Sequence, residues 1–205
     1  MIDLLAAVTL LLAAPDEVPN EFDATQVSEV DAINCKLDVP HYLAFALGLE
    51  QDGIVRSRGW KEIKSGNLFM AEYELPEPIV VAGSHRTRRI AFTSDSILAI
   101  LDVPDPATVA APEQVESALN FDLFVDEMVA TGKVDRSEAE ASIKFRKFMG
   151  ERIVSEEVEA PAEGQSFGSR MTVARSISNV TSHPGKTLFG CSYRFEMIDE
   201  DGDPL

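Results

Sequence analysis

Positive charge is scarce in this sequence. Its 205 residues carry 18 Lys and Arg against 35 Asp and Glu, a formal net charge of −17. Neutralising a phosphate backbone takes a basic face, so the balance argues against nucleic acid as a partner and against anionic membrane surfaces. Cysteine is nearly absent: Cys35 and Cys191 are the only two. That count and spacing exclude a CxxC redox pair and a cysteine-based zinc site. The three histidines, His41, His85 and His183, lie far apart with no HExxH-type spacing, so no metal site is expected. Neither a P-loop nor a GxGxxG fingerprint occurs, and no cofactor is expected. The glycine-adjacent serines Ser65, Ser84 and Ser169 lack the strand-to-helix context of a hydrolase nucleophile.

Long apolar runs are also lacking. The longest, Leu4–Ala14 (LLAAVTLLLAA), is roughly eleven residues, short of the ~20 that cross a bilayer but within the range of a signal-peptide core. Residues 1–14 therefore read as a signal peptide, despite Asp3 and the missing basic residues before the run. The expected location is periplasmic or secreted, or cytoplasmic if residues 1–14 are not a signal, and no integral membrane segment is expected in the mature chain. In an exported protein two cysteines point to one disulfide, Cys35–Cys191.

What is present reads as an α+β domain. Residues 15–31 are polar and acidic and suggest a mobile leader, residues 32–198 a single domain, and residues 199–205 a frayed acidic tail. Asp38–Leu49 fits either period, and a helix is favoured because Asp38 is a natural cap and Pro40 sits in the first turn. Leu43, Ala46 and Leu47 then share its apolar face. From Trp60 onward come short β-rich runs: 60–63, 68–75, 79–82, 87–93 and 97–101, separated by Gly, Ser, Asn and Pro. Helices are expected over Glu113–Ala130, with a break near Asn120, and over Glu138–Phe148. Strands follow over Arg152–Val158, Ser169–Val180 and Thr187–Ile198, the last two forming a hairpin around His183-Pro184-Gly185. The architecture is an antiparallel sheet, central meander plus C-terminal hairpin, with two or three helices packed on one face.

Function is less legible. The basic turn Ser84–Arg89 (SHRTRR) stands out in so acidic a chain, and His85, Arg86, Arg88 and Arg89, with Trp60, are the candidate contacts for an anion or other ligand. Strand alternation sends Arg86 and Arg88 one way and Arg89 the other, so the arginines do not all converge. Trp60, Phe69, Tyr73 and Phe92 form either a ligand cleft or core, and core is the commoner fate of aromatics at strand spacing. His183 reads simply as a turn residue. The expectation is an exported, non-catalytic binding or envelope-associated domain whose partner is an unknown protein or a small anionic ligand. The alternative is a small hydrolase or isomerase acting on an anionic substrate through His85 and its neighbouring arginines.

Overall fold

Seven stretches rich in β-formers become strands in the computed structural model, which describes residues 22–51 and 53–205. They are β1 (Lys61–Ile63), β2 (Ala71–Val81), β3 (His85–Phe92), β4 (Ser96–Leu101), β5 (Met149–Glu159), β6 (Gly168–Ser178) and β7 (Thr187–Ile198). All neighbours are antiparallel, in the order β1-β2-β3-β4-β7-β6-β5. The first four strands form a meander, the last three a second one, and β4 joins β7 where they meet. β2 runs through Pro76 and Pro78 instead of stopping at them. The ladder shifts register between Glu74 and Ile79, which accommodates two residues that cannot donate.

The helices are α1 (Glu29–Ile33), α2 (Val39–Gln51), α3 (Ile54–Ser57), α4 (Ala107–Ala110), α5 (Phe121–Ala130) and α6 (Arg136–Ser142). Asp38 accepts from the His41 backbone N–H at 2.8 Å, holding the first turn of α2 with Pro40 inside it. The apolar face of α2 differs from the expected one. Tyr42, Phe45 and Leu49 are buried, while Leu43 and Leu47 are exposed, because larger aromatic surface wins the core-facing side.

One face of the sheet is covered by α1 and α2, which pack against the central strands. The core there joins Ile33, Tyr42 and Phe45 to Tyr73, Ile90, Phe92, Ile97, Phe189 and Tyr193. Tyr42 and Tyr193 stack at 4.1 Å, and the Tyr193 hydroxyl donates to Ala32 O at 2.7 Å. The Cys35–Cys191 disulfide ties the end of α1 to β7 across a sequence separation of 156 residues. Arg175, buried on this face, donates to Ile33 O (2.6 Å) and Gly190 O (2.9 Å), lies over the Phe189 ring and faces Glu113 at 3.2 Å.

Several expectations are corrected. The covering helices are N-terminal, not those of 113–149. Residues 113–120 are not helical: Gln114 takes a left-handed φ of 56°, Val115 is buried, and Ala118 N–H donates to Met149 O at 2.8 Å. Asn120 then caps α5 through Asp122 and Leu123. α6 stops at Ser142, short of Phe148, and residues 143–148 run irregularly into β5, held by Asn179. Asn179 accepts from Phe148 N–H (2.7 Å) and donates to Arg146 O (3.1 Å). Packing starts before residue 32, since Ala24 and Val27 belong to the core. The tail is hydrogen-bonded through Asp199 and bridges Ile198 to Pro204. The signal-peptide expectation over 1–14 lies outside the described residues. Among the described residues no helix is long and apolar enough to cross a membrane.

Candidate functional site

Alternation puts Glu72, Arg89 and Ala91 on the face of the sheet opposite α1 and α2, with Leu98, Ile100 and Leu188 beside them. Among the described residues no helix forms a layer on this face. Two loops reach over part of it instead, residues 64–70 before β2 and residues 179–186 between β6 and β7.

Beneath these loops lies a buried polar cluster. Glu72 is only 1% exposed. Its Oε1 accepts from Ser65 Oγ at 2.5 Å and from His183 Nε2 at 2.9 Å, and its Oε2 accepts from Arg89 at 2.6 Å. Burial pushes the carboxyl upward, but the hydrogen bonds from Ser65 and Arg89 and the nearby Arg89 charge outweigh it, leaving Glu72 below the ordinary carboxylate range. An ionised carboxylate only accepts, so Nε2 of His183 carries a proton. In the neutral ring Nδ1 is then an acceptor, and Ser182 Oγ stands 3.0 Å from it.

The cluster fixes what the first loop displays. Ser65 Oγ accepts from Asn67 N–H (3.0 Å) and Asn67 Oδ1 accepts from Phe69 N–H (3.0 Å). The loop held this way presents Leu68 at 99% and Phe69 at 85% exposure. They stand at the rim of a groove of about 710 Å³ floored by Met70, Leu98, Val180 and Leu188. A second cleft of about 480 Å³ adjoins it, sharing Leu68, Phe69 and Val180 and adding Phe145, Lys147 and Ser182. The setting is mainly apolar, with Lys147 the one charged side chain lining the second cleft.

The predicted site residues fall elsewhere. His85 opens β3 opposite Val81 at the hairpin end. Arg88 pairs loosely with Glu77 at 3.7 Å, and Arg89 is taken by Glu72. Arg86, Arg88 and Arg89 line one shallow cleft of about 330 Å³ with Lys186, but His85 does not, and Lys186 is paired with Asp102. Trp60 is core, against Tyr73, Phe92 and the Arg58 guanidinium. Phe69 alone of the four aromatics stays out in solvent.

Sequence reasoning missed Glu72 and His183, whose partners lie 111 residues apart. The available signal was a Glu on the same strand face as an Arg of its neighbour, in a chain whose carboxylates otherwise look interchangeable. Gly164–Gly168 (GQSFG) does spell G-x-S-x-G, but it lies in the connection between β5 and β6. No helix follows it, so Ser166 is not on a nucleophile elbow. Asn179, in the sequon Asn179-Val180-Thr181, is buried with its carboxamide engaged. Among the described residues no group of three or more metal-ligating side chains converges. The chain matches no protein-family model, no curated protein and no solved structure. What the geometry defines is an α+β domain with one sheet face closed by helices and the other grooved.

Proposed function

We propose that this chain is an exported binding domain that seats an apolar group in the open-face groove, against Leu68 and Phe69. The observation that carries the reading is the near-complete exposure of these two neighbouring side chains on a loop pinned by a buried polar cluster. A loop free to fold its apolar side chains inward would do so, since covering each is worth about 1.5–3 kcal/mol. Here the hydrogen bonds hold them out, and the ordering cost of presenting them to a ligand is already met. Export is supported by the disulfide, which persists in oxidising compartments, together with the apolar run at Leu4–Ala14. Catalysis through His85 on an anionic substrate lacks comparable support, because His85 and the arginines do not share a cleft.

The test is titration with Nile red, an uncharged apolar dye that avoids the repulsion expected of anionic probes. Saturable fluorescence enhancement is expected, weakened at least tenfold in the double variant Leu68→Ser/Phe69→Ser with its circular dichroism unchanged. Equal dye affinity in the double variant would sink the reading. N-terminal sequencing of the protein from its native host tests export, with a new terminus expected near Ala14.

A further inference from the structure

We propose that Ser182 is an activated nucleophile that takes the acyl group of a carboxylic ester, with His183 as its base and Glu72 orienting the imidazole. The inference rests on the reading that apolar groups seat against Leu68 and Phe69, since these side chains also wall the cleft that Ser182 lines.

Glu72 is ringed by donors from Ser65, Arg89 and His183, which keeps it an acceptor and fixes the proton of neutral His183 on Nε2. Nδ1 is left with its lone pair, 3.0 Å from Ser182 Oγ. Hydroxyl, imidazole and buried carboxylate thus stand in series, the arrangement that lets a serine lose its proton as it attacks. His183 is 6% exposed and Glu72 1%, so the base and its orienter are shielded, while Ser182 is half-buried and reaches the cleft. Leu68, Phe69, Phe145 and Val180 suit an apolar acyl chain. Asn67 and Lys147, also lining the cleft, are its donors for a carbonyl oxygen gaining charge.

In the first step Ser182 Oγ bonds to the ester carbonyl carbon and its proton passes to His183 Nδ1. The carbon–alkoxy bond then breaks, and the departing oxygen takes that proton and leaves as the alcohol. Water, deprotonated by the same Nδ1, attacks the acyl-serine. The carboxylic acid is released and Ser182 Oγ recovers a proton. The imidazolium formed in between is stabilised by Glu72, which stays ionised throughout.

The experiment treats the full chain with diisopropyl fluorophosphate, maps adducts by peptide mass spectrometry, and follows p-nitrophenyl butyrate hydrolysis and Nile red binding in parallel. One adduct on Ser182 is expected. Ser182→Ala should abolish it and the hydrolysis while retaining dye binding, and His183→Gln should slow both reactions at least tenfold. Ser182→Ala changes one atom in a turn, so retained circular dichroism separates lost chemistry from lost fold if His183→Gln does not fold. No adduct on Ser182, or hydrolysis persisting in Ser182→Ala, overturns the proposal. Dye binding without an adduct overturns it and leaves the binding reading standing, whereas loss of both overturns both.

Discussion

Glu72 carries more of this molecule than any neighbouring residue, because four segments meet on one carboxylate: the loop before β2, β2 itself, β3 and the loop before β7. Its folded pKa is depressed, so its contribution to stability is complete at neutral pH, above the ordinary value of 4.5. That contribution is lost as pH falls through the folded value. In Glu72→Gln the amide cannot match the charged hydrogen bonds to Arg89 and His183, and a loss of about 2 kcal/mol is expected at pH 7. The difference between wild type and variant in urea unfolding should shrink towards zero as pH is lowered below 4.5. A difference independent of pH would mean that the carboxylate's ionisation contributes nothing. Comparing the two proteins cancels the general easing of charge repulsion that acid brings to so acidic a chain.

At the level of elements, the contact that matters most is β4 against β7, where the two meanders become one sheet. Gly190 marks it: a Cβ there would stand 2.0 Å from Ile97 O and 2.8 Å from Leu98 Cα on the neighbouring strand. Gly190→Ala must push two central strands apart, and a loss of at least about 2 kcal/mol, read from the urea midpoint, is expected. An unshifted midpoint would show that the strands part without cost. β7 was legible in the sequence to the residue, because alternation and a Pro-Gly turn agree there, and β6 was legible nearly so. The region 113–149 was not. Val115, Leu119 and Leu123 recur at helical spacing, yet Val115 serves the core, Leu119 and Leu123 remain exposed, and the backbone of Ala118 is claimed by the start of β5. Periodicity reports which residues want burial, and a distant strand decided how these were used. The candidate site was hidden for the same reason. His183 looked like part of a turn because its partner, Glu72, is brought to it only by the sheet.

On the scale of the whole molecule, the chain's three tyrosines report on one core from three elements. Tyr42 on α2, Tyr73 on β2 and Tyr193 on β7 are all buried. Burial chiefly, with nearby carboxylates adding to it at Tyr42 and Tyr73, holds each phenol above its usual value near 10. A raised folded pKa means that the stabilisation is present below pH 10 and lost as pH rises above it. Absorbance at 295 nm should therefore show no free tyrosinate step at pH 10. All three phenols should ionise together with the collapse of circular dichroism, if the domain unfolds as a single unit. A separate early step from one tyrosine would divide the domain. The strand order has a further consequence, in time instead of space. Of these seven strands β7 is made last, yet it sits fifth from one edge and third from the other, holding β4, β6 and the cysteine partner of α1. The sheet cannot close until β7 has been made, and closing it then requires contacts across most of the sheet's sequence, which makes for slow folding. Until β7 emerges a nascent chain of this design stays open, and openness is the state that threading through a membrane pore demands.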